Sequence, residues 1–88
     1  MDVQSLIRHL GAWSAGNGSL QQKLARALAQ AIRLGTVGPG MRLPSERTLA
    51  QALTLSRTTV VAAYDALREM GWLESRPGSG AWVSAGPY

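Results

Sequence analysis

Apolar residues recur along this chain at the three- and four-residue spacing of amphipathic helices, and Ser, Thr, Pro and Gly interrupt the pattern at intervals. Val3, Leu6, Ile7, Leu10 and Trp13 predict a first helix over 3–13, with Asp2 placed to cap it. Ala15-Gly16-Asn17-Gly18 breaks that helix. Leu20, Leu24, Ala27, Leu28, Ala31 and Ile32 then draw one stripe along a second helix. Ser19 followed by Gln22 is a capping-box pattern at its start, and Gly35 is a stop at its end. Gly38-Pro39-Gly40 turns the chain.

The second half repeats one device. Met41-Arg42-Leu43 reads as a short strand ahead of Pro44. Ser45 is placed to cap a helix over 46–53 that buries Leu49 and Leu53. Thr54-Leu55 is a tight turn, and Ser56 caps the next helix, which runs to about Met70 and stops at Gly71. Val60, Ala63, Tyr64 and Leu67 are its core stripe. Residues 72–76 and 81–83 are two extended runs around Pro77-Gly78-Ser79-Gly80, the pattern of a hairpin. Helix, turn, helix and hairpin in this order describe a winged helix-turn-helix. The expected class is mainly α with a small β-hairpin: three core helices, a wing and an extra N-terminal helix. The expected division is an N-terminal helix or arm over 1–18, the winged helix over 19–83, and a linker remnant over 84–88. The arm is expected to pack on something else, such as a partner subunit.

Composition narrows the functions available. Eighty-eight residues make one small domain. With no cysteine, disulfides and thiolate zinc sites are excluded, and a single histidine, His9, does not make a metal site. A reducing, cytoplasmic setting fits. No run approaches the ~20 apolar residues that span a bilayer, and Gln4, Ser5, Arg8 and His9 interrupt the N-terminal stretch where a signal peptide would be continuous. The net charge of +4 suits a polyanion. Its distribution is less suggestive, because residues 1–40 carry +3 and residues 41–88 only +1. The placement of each arginine matters more than the total.

A helix turns about 100° per residue, so Arg57, Thr58, Val61, Asp65 and Arg68 share one flank of the second helix of the pair. Arg57 and Thr58 stand in its first turn, the part of a recognition helix that enters the major groove. The guanidinium of Arg57 has the fork geometry for the O6 and N7 of guanine. Thr58 or Thr59 can donate to a phosphate, and Val61 can meet a thymine methyl. The alternative for Arg57 is a solvated surface arginine that opposes the helix dipole. Asp65 either lies above the groove or pairs with Arg68. Arg47 reaches a groove edge or phosphate, or else is a surface residue paired with Glu46 or Glu69. The N–H groups at Ser45 and Glu46 open a helix, where anions bind. Ser56 opens the next one in the same way. Arg76, Gly78, Ser79 and Gly80 form the hairpin tip, where glycine permits close approach to a DNA backbone and Arg76 can enter the minor groove. An ordinary hairpin turn would also explain the glycines. Trp72 and Trp82 read as hairpin packing rather than base-stacking platforms. No nucleophile–base pair is apparent, and no enzymatic activity is expected.

From Leu20 to Val83 the chain resembles the GntR-type winged helix domain of bacterial transcription regulators. The matching stretches are Leu43-Pro44-Ser45-Glu46-Arg47-Thr48-Leu49-Ala50, Ser56-Arg57-Thr58-Thr59-Val60 and Gly78-Ser79-Gly80. Ala63-Tyr64, the Gly71-Trp72-Leu73 junction and the extra helix look like the MocR-type subgroup. The resemblance implies sequence-specific DNA binding, with contacts at the positions of Arg47, Arg57 and the wing glycines. Some relatives have a DNA-contacting arginine where this chain has Val61. Many have Gly-Val where it has Thr54-Leu55, and threonine resists the positive φ that glycine allows. The turn is therefore expected to differ slightly. After the wing, Ala81-Trp82-Val83 replaces a frequent Thr-Phe-Val, a change expected to alter hairpin packing more than function.

Membership of that subgroup would make the chain the N-terminal part of a longer, effector-responsive regulator. The remainder would resemble pyridoxal-phosphate aminotransferases and would hold any pyridoxal phosphate; no cofactor is expected here. The expected partner is double-stranded DNA at paired half-sites, with the full-length protein a homodimer and this domain a monomer or weak dimer. Two other roles fit the same elements: a winged helix used for protein interaction, and an accessory domain of an aminotransferase.

Overall fold

The computed structural model describes residues 3–38, 40–75 and 81–84. Its elements in chain order are α1 (Val3–Leu10), α2 (Leu20–Arg33), α3 (Glu46–Leu53), α4 (Arg57–Glu69), β1 (Leu73–Ser75) and β2 (Ala81–Val83). Local chemistry sets the ends of the three central helices. Ser19 accepts from the Gln22 N–H at 3.2 Å while the Gln22 side chain accepts from the Ser19 N–H at 3.3 Å, a closed capping box. Gly35 and Gly71 take positive φ, 79° and 86°, just beyond the caps of α2 and α4, where the chain must leave the helix and a side chain would be strained.

One core joins these elements. Leu24, Leu28, Leu49, Val60, Tyr64 and Leu67 are fully or almost fully buried where α2, α3 and α4 meet. The buried positions of α4 are the expected Val60, Ala63, Tyr64 and Leu67. On α2 the stripe is displaced at its start: Ala25 is buried, Ala27 is half-buried and Leu20 is 45% exposed. Leu53, at the end of α3, is half-buried.

Three expectations are corrected. The first helix is shorter, ending at Leu10, and it lies on this domain's own core. Leu6 is fully buried and α1 packs on both α2 and α3. Its apolar face finds a receiving surface within the chain. Second, residues 41–43 form a single bridge, Arg42 to Trp82, rather than a strand. Leu43 N–H donates to Ala81 O, and Val83 N–H donates to Met41 O. Gly40 N–H also donates to Val83 O at 2.8 Å, but its φ of 82° on one side and Pro44, which has no N–H, on the other keep this pairing from extending into a strand. β2 also pairs with β1, antiparallel, with Leu73 opposite Val83, Glu74 opposite Trp82 and Ser75 opposite Ala81. Third, the turn between α3 and α4 keeps the conformation that threonine was expected to resist. Thr54 sits at φ 58°, ψ 45°, in the left-handed region. A Schellman closure at the end of α3 holds it there, with Leu55 N–H donating to Ala50 O at 2.9 Å and Thr54 N–H to Gln51 O at 3.3 Å. Asp2, the expected cap of α1, and residues 85–88 of the expected linker lie outside the described residues.

Tyr64 links the two helices of the pair. It is fully buried on α4, and its hydroxyl donates to the carbonyl of Pro44, just before α3, at 2.7 Å. Burial pushes the hydroxyl well above the ordinary tyrosine range; the Glu46 carboxylate adds to the shift and Arg68 opposes it.

Two stability predictions follow from these geometries. Thr54→Gly relieves about 1–2 kcal/mol of left-handed strain and gives back part of it in unfolded-chain entropy, so urea denaturation should show a gain of about 0.5–1 kcal/mol. Tyr64→Phe leaves the Pro44 carbonyl without its donor and should cost about 1–2 kcal/mol. A tyrosine whose folded pKa is raised ionises first in the unfolded chain. Wild-type stability from this residue is therefore complete below pH ~10 and falls above it, and Tyr64→Phe should remove that part of the alkaline loss.

Candidate nucleic-acid interface

Two helices begin in the same way. Ser45, at φ −61° and ψ 156°, accepts from the Thr48 N–H at 3.1 Å, and its hydroxyl donates to Thr48 Oγ1 at 2.9 Å. Ser56, at φ −70° and ψ 149°, accepts from the Thr59 N–H at 3.3 Å and shares a 2.9 Å hydrogen bond with Thr59 Oγ1. Each serine satisfies one of the unpaired donors of its helix, and each threonine locks the serine rotamer. The hydroxyls of Ser45, Ser56 and Thr59 are thus engaged within the fold. What these two serines contribute outward is a fixed helix start with its remaining N–H groups and positive dipole end.

The side chains around these starts are free to reach out. Arg47, Arg57 and Thr58 are exposed, and Val61 is half-buried on the next turn of α4. Among the described residues Arg47 forms no ion pair with Glu46 or Glu69, and Arg57 forms none with any acid. The first turn of α4 contains no acidic residue. Asp65 resolves as a partner for Arg68, at 2.8 Å between Arg68 Nη1 and Asp65 Oδ1. That pair cancels the charge of both groups two turns beyond Arg57. Locally, the start of α4 keeps an uncompensated cation at a positive dipole end, an arrangement that favours an anion.

The Tyr64–Pro44 hydrogen bond brings the start of α3 against the middle of α4. Ser45 and Arg47 therefore belong to the neighbourhood of the helix that carries Arg57, Thr58 and Val61. β1 and β2 bound the expected wing. The tip residues Arg76, Gly78, Ser79 and Gly80 lie outside the described residues. Trp82 is half-buried and faces Arg42, whose guanidinium carbon stands 5.9 Å from the ring centroid. Trp82 thus packs in the wing sheet, as its sequence position implies. The Arg42 contact and the Tyr64 hydroxyl bond were not anticipated. A tyrosine rather than phenylalanine in a core stripe was the signal for the second, since a buried hydroxyl needs a partner.

Among the described residues no three His, Cys, Asp or Glu side chains come together as a metal site. No described helix is long and apolar enough to cross a membrane.

Comparison with known proteins places this geometry. The rhizopine-related MocR of Rhizobium meliloti, named as a probable catabolism regulatory protein, is 43% identical over 68 residues. That match takes in 77% of this chain but 14% of MocR, so the chain spans about one-seventh of that relative's length. A GntR family transcriptional regulator from Listeria monocytogenes superposes with a TM-score of 0.74 at 25% identity, over 81% of this chain and 62% of the other. The DNA-binding domain of AraR, solved in complex with operator ORX1, superposes with a TM-score of 0.72 at 26% identity, over 77% of this chain and 82% of the other. The family model for bacterial regulatory proteins of the gntR family matches residues 20–83, from the first residue of α2 to the last of β2. The chain belongs to the gntR family.

Proposed function

We propose that this chain is the sequence-specific DNA-reading module of a bacterial, cytoplasmic transcription regulator of the MocR type. The observation that carries the proposal is the pair of serine-capped helix starts with Arg47 and Arg57 exposed and unpaired beside them. The likeness to AraR supports it, because that domain is solved on operator DNA.

In this reading α4 enters the major groove by its first turn. Arg57 reads a guanine through two parallel hydrogen bonds. Thr58 donates to a phosphate, while Thr59 stiffens the helix start through Ser56. Val61 contacts a thymine methyl. Arg47 meets a groove edge or phosphate, and the N–H groups at the start of α3 face another phosphate. The wing tip, with Arg76, Gly78, Ser79 and Gly80, approaches the neighbouring backbone and minor groove. One such module offers few contacts, so strong binding needs two of them on adjacent half-sites of a homodimeric regulator. The remainder of that regulator would carry the aminotransferase-like fold and any pyridoxal phosphate. Support for the MocR assignment comes from the 43% identity to MocR itself.

Selection from a pool of random duplexes on a dimerised form of the domain should enrich one motif. Arg57→Ala should relax one base of it, at about 1–3 kcal/mol of discrimination. Arg47→Ala should weaken binding more evenly across sequences. Wild-type affinity should fall with salt, with a log–log slope of about −0.9 per phosphate neutralised. No enriched motif and a flat salt dependence, with the fold intact, would replace the DNA reading by protein interaction.

A further inference from the structure

A groove runs between α2 and the second half of α4. It has a volume of about 710 Å³ and is lined on α2 by Gln22, Ala25, Arg26, Ala29, Gln30 and Arg33, and on α4 by Ala66 and Met70. Its floor is made of small side chains, Ala25, Ala29 and Ala66, which let another backbone approach closely. Met70 is 47% exposed at one end, a large apolar side chain facing solvent. Gln22, Arg26, Ala29 and Arg33 follow one another at four-, three- and four-residue steps. That is the spacing of a seam along which a second helix packs. From Gln22 to Arg33 the seam is about 16 Å long, three turns of helix.

Charge selects the occupant. Arg26 and Arg33 stand seven residues apart on the seam, and neither forms an ion pair among the described residues. Arg26 gives one N–H to the Asn17 carbonyl at 3.0 Å and keeps the rest of its fork. Among the described residues no acidic residue lines the groove. A second copy of this chain, placed by a two-fold axis, would set these arginines against their own counterparts. Duplex DNA would leave the alanine floor and Met70 unfilled, and the groove lies toward the end of α4 opposite Arg57.

We propose that the α2–α4 groove is a docking site for an acidic amphipathic helix of a partner protein. Such a helix would set an apolar side chain against Ala29, Ala66 and Met70 and carboxylates against Arg26 and Arg33. It needs three to four turns, with its acids about seven residues apart, and it approaches at the 8–10 Å typical of packed helices. This surface is separate from the proposed DNA contacts, so both can be occupied at once.

The test is selection of displayed twenty-residue helical peptides, randomised along one face, on the 88-residue chain. The expected winners carry Asp or Glu at i and i+7 around Leu, Ile or Met. Their affinity should drop at least tenfold on Met70→Glu and on Arg33→Glu, two changes at exposed positions that should leave circular dichroism unaltered. Arg57→Ala should not affect them, and Arg33→Glu should leave the selected DNA motif unchanged. The proposal fails if no peptide is enriched, or if the winners bind both groove variants as well as the wild type. Loss of DNA binding or of self-association in Arg33→Glu would assign the groove to DNA or to a second copy instead, and would also overturn it.

Discussion

The site depends on one buried hydrogen bond. Tyr64 fills the junction of α3 and α4 with a large ring, and its hydroxyl ends on the Pro44 carbonyl. Apolar packing alone would tolerate small rotations of one helix against the other. A buried hydroxyl that must keep its partner tolerates much less, because losing the bond leaves two polar groups unsatisfied. Pro44 suits its end of the bond. It has no N–H to satisfy, it ends the bridge begun at Arg42, and its own backbone is stiff. Ser45 follows at once and starts α3. The orientation of the two helix starts is thus fixed by a group in the core, and their exposed arginines inherit that orientation.

Capping then divides the polar residues into two sets. Ser45, Ser56, Thr48 and Thr59 spend their hydroxyls on each other and on backbone N–H groups. Arg47, Arg57 and Thr58 remain for outside work. The division also explains why overall charge is a poor guide here. The half of the chain that holds both arginines carries only +1. Yet two of its opposing charges, Asp65 and Arg68, cancel at 2.8 Å, and the first turn of α4 has no acid. The field at a helix start is set within a few ångströms, well inside the ~10 Å screening length of 0.1 M salt.

Much of this was legible in the sequence because the deciding chemistry is local. Ser19 with Gln22, Ser45, Ser56, Gly35 and Gly71 bound their helices within a residue of the pattern reading. The stripe of α4 was legible for the same reason, since four core residues at helical spacing admit one face. What was hidden depends on which groups close on one another in the folded chain. Periodicity showed which face of α1 is apolar but not that α2 and α3 receive it. Threonine's dislike of positive φ is one local preference, and the Schellman closure at the end of α3, with Leu55 N–H on Ala50 O and Thr54 N–H on Gln51 O, outweighs it. Leu20 is exposed although its type suggests burial. At the candidate site the positions of Arg47 and Arg57 came from the caps beside them. The engagement of Thr59 and the pairing of Asp65 required side-chain geometry.

The packing of α1 bears on how so short a chain holds a site rigid. A domain of this size buries only about 60% of its unfolded surface, so each further core residue matters. The family match begins at Leu20, yet Leu6, far outside it, is fully buried and Leu10 is nearly so. The core of this protein therefore extends beyond the segment that the family model matches. Without α1, the surfaces of α2 and α3 beneath Leu6 would be open to water. α3 has only eight residues, too few to persist as a helix on its own, and it relies on the elements packed around it. α4 holds one side of it through Tyr64, and α1 packs on it as well. The N-terminal helix is thus part of what keeps Arg47 in place, although it carries no residue of the candidate interface.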